Sequence, residues 1–241
     1  QIGRGRLDLK TDISTNDEIG ELSREFNKMT ERLRKFEELN IENILAEKQK
    51  SETIVESISE VWMRVSGILN SNLIMASAVE RNGTEAQKRA YLPRFATGEL
   101  RGGVGLTEPD CGTDLQAIRT VAKRDGEHYV VNGAKTWITN SMYGNTLALL
   151  VKTDLDANPR HKGMSLFIAE KGPGFKVARK LEKLGYRGID TCELVFENYR
   201  IPADRLIGGV EGRGLQQVLS GLELGRINVA ARGVGVASAA L

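Results

Sequence analysis

Thr120-Val121-Ala122-Lys123-Arg124-Asp125-Gly126-Glu127-His128-Tyr129-Val130-Val131-Asn132-Gly133-Ala134-Lys135-Thr136-Trp137-Ile138-Thr139 is the stretch whose reading decides the fold. Asp-Gly and Asn-Gly suit tight turns, because both residue types tolerate the positive φ that a two-residue hairpin loop requires. Here they separate three runs, 120–123, 128–131 and 135–139, of residues that fit a pleated, half-buried strand. The spacing predicts a three-stranded meander. Runs at 147–152, 164–169, 175–178 and 192–199 continue the pattern, separated by Gly, Pro, Asn and Asp. Short strands at this density predict a small antiparallel β-barrel or two packed sheets.

Helical periods flank the strands. Val61, Val65, Leu69 and Leu73 space helically, joined by Ile68 and Ile74, and Gly83-Thr84-Glu85 reads as a turn, an N-cap and a new helix start. That second helix, 86–94, is expected to break near Pro93. After Ile201-Pro202-Ala203-Asp204 and a flexible turn at 209–214, Leu215, Val218, Leu219 and Leu222 line one side of a last helix. Its Ala230, Ala231, Gly233, Gly235 and Ala237 suit close helix–helix packing. No stop signal follows, and no Met opens the chain, so both ends are expected to be cut. The predicted class is α+β: an N-terminal coiled-coil-like helix, a short helical segment, an antiparallel β-barrel or sandwich middle domain and a truncated C-terminal helix. The expected boundaries are 1–59, 60–102, 103–208 and 209–241.

Composition narrows the function classes. Hydrophobic content of 40% with 27% charged residues is that of a globular chain with a real core. A net charge of +2 gives no reason to expect nucleic acid or a membrane surface as the main partner. No apolar run reaches the length of a membrane span and no signal peptide is visible. Cys111 and Cys192 have no paired spacing and read as free thiols in a reducing, cytoplasmic setting. Cys111 reads either as a small packed side chain or as a redox-sensitive thiol. His128 and His161 lack ligand spacing, so no metal is expected.

Two places carry possible chemistry. Leu106-Thr107-Glu108-Pro109-Asp110-Cys111-Gly112-Thr113-Asp114 is a polar loop where hydroxyls and backbone N–H groups could hold an anion or a polar cofactor edge. Trp137 and Thr139 are two apart, so on a strand they share a face. A flat aromatic beside a hydroxyl suits a flat heteroaromatic ring. The plainer readings, an ordinary turn and a core tryptophan, stay open at this level.

Residues 1–59 differ in character. Ile19, Leu22, Phe26, Met29, Leu33 and Phe36 alternate by three and four, an a/d seam flanked by charge, with Ser14, Thr15 and Asn16 before it and Asp17 and Glu18 in the first turn. An amphipathic helix packed on its own domain fits the same period. Asp17-Glu18-Ile19-Gly20-x-Leu22, then Phe26-Asn27-x-Met29, resembles the second half of a HAMP domain, the signalling linker of membrane sensors. Residues 7–12 would match its connector and the charged helix through 59 its exit. The transmembrane helix, first amphipathic helix and kinase that such a protein uses are not in the sequence.

From about residue 61 onward the chain resembles the flavin-dependent acyl-CoA dehydrogenases. The motifs are Gly83-Thr84-Glu85-x-Gln87-Lys88 with Tyr91-Leu92-Pro93, Leu106-Thr107-Glu108-Pro109 through Asp114, Asn132-Gly133-x-Lys135-x-Trp137-Ile138-Thr139-Asn140, Lys183-Leu184-Gly185 and Val195-Phe196-Glu197-Asn198-Tyr199-Arg200-Ile201-Pro202. The resemblance implies a helical domain, a β-barrel and a second helical domain, with FAD as cofactor. It implies that Val104, Leu106, Thr107, Gly112, Thr113, Trp137, Ile138 and Thr139 line the flavin, Trp137 covering a ring edge and Thr139 bonding near N5. Thr113 would lie near the pyrophosphate or the acyl-CoA, and Glu223 and Arg226 would meet the pantetheine end of the substrate. The reaction implied is α,β-dehydrogenation of an acyl-CoA thioester, with electrons passed to an electron-transferring flavoprotein and a homotetrameric assembly.

The sequence departs from that pattern at the base. Most members carry a Glu in the C-terminal helical domain, and a minority place it just before the Arg of the helix that begins near Leu215; here that residue is Gly225. Glu223 lies roughly 200° away around a helix and does not substitute. No catalytic residue is therefore assigned, the chain alone is expected to be inactive, and acyl-chain preference stays open. The alternative reading is a membrane-linked signalling protein whose HAMP-like helix dimerises and whose barrel only binds a ligand.

Overall fold

The computed structural model of the chain describes residues 70–240 continuously and, before them, Asp12, Thr15, Asp17 and some of the residues from 20 to 49. Two compact units emerge, Gln1–Ser59 and Glu60–Leu241. In the first, the described residues between Gly20 and Lys35 are helical. Asp17 is the cap: its Oδ1 accepts the Gly20 N–H at 3.0 Å and its carbonyl accepts the Glu21 N–H at 3.1 Å. It therefore sits before the first turn, not in it. Met29, expected in the apolar seam, is 48% exposed. The other seam residues, Ile19, Leu22, Phe26, Leu33 and Phe36, lie outside the described residues, as do Val61, Val65, Ile68 and Leu69.

In the second unit, helix α1 (70–82) turns Ile74, Met75, Ala78 and Val79 inward. Leu73, which the spacing put with Ile74, is 47% exposed. Helix α2 (Glu85–Ala96) starts at Thr84 with a capping box. The Gln87 N–H donates to Thr84 Oγ1 at 3.2 Å and the Thr84 N–H to Gln87 Oε1 at 3.0 Å. The Gln87 amide also donates to the Asp204 and Leu206 carbonyls, both at 2.7 Å, which ties this cap to the far end of the sheet. The helix does not break at Pro93 but runs on to Ala96. Proline removes one donor, and the helix ends soon enough for the loss to be local.

Seven strands follow: β1 (Gly102–Gly105), β2 (Val121–Asp125), β3 (His128–Thr139), β4 (Thr146–Lys152), β5 (Met164–Glu170), β6 (Phe175–Lys180) and β7 (Thr191–Pro202), then helix α3 (Gly214–Ala240). They form one sheet in the order β1-β4-β2-β3-β7-β6, with β5 on the free side of β4. β4 and β5 are apolar throughout because both faces are covered. Ala148, Leu150, Met164, Leu166 and Ile168 meet the helices α1, α2 and α3, while Leu147, Leu149, Val151, Phe167 and Ala169 face the other way. Val131 and Ile138 of β3 and Leu194 and Phe196 of β7 join that second cluster, so the sheet curls over it as a half-barrel.

The strands depart from the expected meander in two ways. Asp125-Gly126 is a hairpin turn as predicted, with Gly126 at φ 57° and Asp125 opposite His128. Asn132-Gly133 is not a turn. β3 runs straight through it, and the dipeptide forms a bulge against β7, where Asn132 Oδ1 accepts the Asn198 N–H at 2.9 Å. Gly133 has φ 148°, and a Cβ there would come within 2.7 Å of Thr120 Cα. The sheet is also mixed, not antiparallel: β1 pairs with β4 in parallel over Thr146 to Leu149, and β2 meets the same edge in parallel at Lys152. Two strands thus share one edge of β4, and the chain between them, 106–120, is extruded as a loop. Here the fold positions the site.

Gly133→Ala is expected to lower stability by about 2 kcal/mol, because backbone must move to admit the methyl. Gly126→Ala, whose Cβ meets nothing within 4 Å, is expected to cost about 1 kcal/mol through its φ alone. Urea denaturation of the full chain checks both.

Candidate functional site

The extruded loop is held by a buried ion pair. Lys135, on β3, has a side chain with 0% exposure, and its Nζ donates to Glu108 Oε1 at 2.8 Å and to the Leu106 carbonyl at 2.9 Å. Glu108, 6% exposed, accepts the Arg119 N–H at 2.6 Å on Oε2 and the Thr120 N–H at 3.1 Å on Oε1. One carboxylate therefore clamps both ends of the loop to the strand. Burial pushes the Glu108 carboxyl up, but the Lys135 charge and the donated hydrogen bonds outweigh it and hold the group below its usual value. Burial pulls the Lys135 ammonium down against the opposing pull of Glu108. Within the loop, Glu108 and Cys111 exchange backbone hydrogen bonds at 2.9 and 3.2 Å across the Pro109-Asp110 turn. Asp114 caps a short 3₁₀ turn by accepting the Gln116 N–H at 3.1 Å.

The start of the loop lies against the end of β3. The Thr136 N–H donates to the Thr107 carbonyl at 2.9 Å, and Asn140 Nδ2 donates to the Gly102 carbonyl at 3.1 Å. Gly103 packs flat on the Thr139 carbonyl, where a side chain would clash. Register in β3 shifts again between Lys135 and Ile138. At this bulge Trp137 adopts φ 60° and its indole is 59% exposed. Left-handed backbone on a bulky residue costs about 1–2 kcal/mol, and an exposed indole recovers none of that by burial. Such strain marks positions with a role other than packing.

The expected cofactor residues do not all present side chains. Thr107, Gly112, Thr113, Trp137 and Thr139 are exposed or half-buried. The Thr107 methyl lies 3.7 Å from where a Cβ on Gly112 would be, so these two are neighbours. Ile138 is different: at 2% exposure its side chain belongs to the half-barrel core and leaves only backbone for a ligand. Leu106 is likewise buried, against the helices, and Val104 packs beside it. Of Thr107, Trp137 and Thr139, Trp137 is exposed and the other two are half-buried.

Glu223 and Arg226 come together in a cleft of 1050 Å³ along α3, which His161, Lys162 and Arg213 also line. Thr113, expected with them, is not on that cleft's wall. Glu223 is already engaged: Arg81 Nη1 donates to its Oε2 and to the Ser220 carbonyl, both at 3.2 Å. Gly225 is buried, and a Cβ on it would reach 2.9 Å from Ile74 Cδ1, so this helix face packs on α1. Burial raises Cys192 to about 11 with help from Asp190, and burial beside Glu108 raises Cys111. Among the described residues no group of His, Cys, Asp or Glu could hold a metal, and no helix is long and apolar enough to cross a membrane.

Residues 103–199 match the acyl-CoA dehydrogenase middle domain, 27–99 the acyl-CoA dehydrogenase N-terminal domain and 1–35 the HAMP domain. The chain is 43% identical over 173 residues to mitochondrial isovaleryl-CoA dehydrogenase of Pongo abelii, across 71% of this chain and 40% of that protein. A solved structure described as electron transferring flavoprotein of Acidaminococcus fermentans aligns at 39% identity and TM-score 0.67, over 71% of this chain and 45% of that one. A glutaryl-CoA dehydrogenase from Mycobacterium smegmatis in complex with FADH2 aligns at 35% identity and TM-score 0.58, over 66% and 39%. The chain spans less than half the length of each of these relatives.

Glu108→Gln is expected to destabilise the chain by about 3–5 kcal/mol, since it leaves a buried lysine charge without its partner. Adding Lys135→Met to that variant is expected to recover most of the loss in urea denaturation. The sign in pH follows from the depressed carboxyl. The pair's contribution is complete above the unfolded glutamate value of about 4.3 and is lost as pH falls through the lower folded value.

Proposed function

Because residues 27–99 and 103–199 match acyl-CoA dehydrogenase domains and 1–35 a HAMP domain, we propose that the β-region carries one wall of an FAD site serving acyl-CoA dehydrogenation. The observation that carries this reading is Trp137, an exposed indole on strained backbone beside the clamped loop. The donor set fits the cofactor. Thr107 and Thr139 offer hydroxyls beside the indole, and the Gly112 and Thr113 amides make no hydrogen bond among the described residues. Free adjacent amides with a threonine hydroxyl suit a pyrophosphate.

In this reading the indole packs on a flat ring and excludes water from one edge. Thr139 would orient the ring through its hydroxyl, and Thr107 would border the ring beside it. Bound FAD supplies the acceptor for hydride leaving the β-carbon of an acyl-CoA. Gly112 and Thr113 hold the pyrophosphate, with Ile138 contributing backbone alone. Arg226 meets the pantetheine end, while the ion pair of Glu223 with Arg81 makes that carboxylate a brace for the α1–α3 contact more than a free ligand. The reaction also needs a carboxylate to take the α-proton. Position 225 has none, and its helix face is occupied by Ile74. In this reading the chain contributes a cofactor wall and no base is assigned to it, and electron-transferring flavoprotein and a homotetramer belong to the proposal for the family's whole assembly.

The test is an FAD titration of the purified chain followed by flavin fluorescence. Saturable, weak binding is expected, with Trp137→Ala, which removes the strained side chain, loosening it about tenfold. Full flavin occupancy in the purified chain, or equal affinity in the variant, contradicts the reading. Isovaleryl-CoA-dependent dye reduction is expected to stay at background, and turnover would show that the chain does carry a base.

A further inference from the structure

The chain between β6 and β7 closes two adjoining clefts. One, of 490 Å³, is lined by Lys180, Leu181, Glu182, Lys183, Arg187 and Ile189. The other, of 250 Å³, shares Lys180, Arg187 and Ile189 and adds Arg101, Tyr143, the Gly188 backbone and Asp190 among its walls. Four cations therefore face two carboxylates across connected space of small-molecule size.

Among the described residues, neither carboxylate forms an ion pair with Arg101, Lys180 or Arg187. Asp190 is buried and accepts the Met142 N–H at 2.7 Å, which fixes the turn after β3. No carboxylate lies within ion-pair distance of Arg101, Lys180 or Arg187 among the described residues, and the Arg187 Nε bond goes to the Lys183 carbonyl at 3.3 Å. Lys183 is spent on the framework, donating to the Ile189 carbonyl at 2.7 Å and Thr191 Oγ1 at 2.9 Å. The cations also work against one another. Burial holds Lys183 below its usual value, and Lys180 lowers it further against the pull of Asp190. Burial also lowers Lys171 against the pull of Asp190, with Arg101 adding to the effect. Arg101, Lys180 and Arg187, three cations without an ion pair among the described residues around one space, leave an excess of positive charge there that a counter-ion would relieve. The Arg101 and Arg187 guanidiniums are suited to bidentate contact with phosphate oxygens, and Tyr143, 67% exposed at the mouth, offers an aromatic face.

We propose that the paired clefts bounded by Arg101, Lys180, Lys183 and Arg187 bind a small, multiply charged anion of the phosphate class. The site's walls include Asn140, next to Thr139, and share no residue with the α3 cleft. It does not depend on whether the chain holds a flavin.

Calorimetric titration of the full chain with inorganic pyrophosphate, and in a parallel arm with ADP, tests this. One saturable site is expected, with Arg187→Gln and Lys180→Gln each weakening it about tenfold. Arg213→Gln, in the α3 cleft, is expected to leave it unchanged. Tighter binding of ADP than of pyrophosphate would identify a nucleotide as the source of the phosphate, with Tyr143→Ala then removing the difference. No saturable heat, or binding that responds to Arg213→Gln and not to Arg187→Gln, overturns the proposal.

Discussion

A single buried ion pair governs how the rest of the second unit is arranged. Taking Lys135 and Glu108 out of water costs several kcal/mol per ion, and the structure offsets this by satisfying both ends: a carbonyl for the ammonium and two backbone N–H groups for the carboxylate. The result is geometric. β1 and β2 occupy one edge of β4, the chain between them must leave the sheet, and the pair fixes where it goes. With the loop clamped, Thr107 lies beside Thr136 and the end of β3 becomes a surface.

The two faces of β4 and β5 build the support beneath that surface. Their alternate side chains feed two separate cores, one under the helices and one inside the half-barrel. Helix α3 closes the first core with a face of Gly214, Val218, Gly221 and Gly225. Close approach there leaves little room for a side chain at 225. The same packing that completes the fold works against a base at that position.

Much of this is legible in residues with local rules. Asp125-Gly126 announces its hairpin, and Thr84 with Gln87 announces a capping box, because each signal is contained within a few residues. Asn132-Gly133 obeys the same dipeptide rule and is a bulge, since Thr120 and Asn198 lie across from it and only the tertiary partners reveal that. The parallel pairings of β1 and β2 are invisible for a similar reason: short strands carry no mark of direction. At the site, Trp137 and Thr139 stand out by residue type, but the φ of 60° that exposes the indole has no sequence signature. Ile138 sits between them and faces inward, as alternation alone would require. Lys135 occupies a strand position that turns to the interior, and a lysine there is the one hint that a buried carboxylate waits elsewhere in the chain.

The most direct test of the central claim is amide hydrogen exchange of the full chain with and without FAD. The account predicts that FAD slows exchange in peptides covering 106–114 and 136–140, most of all at Gly112 and Thr113, and leaves 180–190 unchanged. Slowing confined to other segments, or none at saturating FAD, would contradict the claim that the clamped loop and the end of β3 form the cofactor wall.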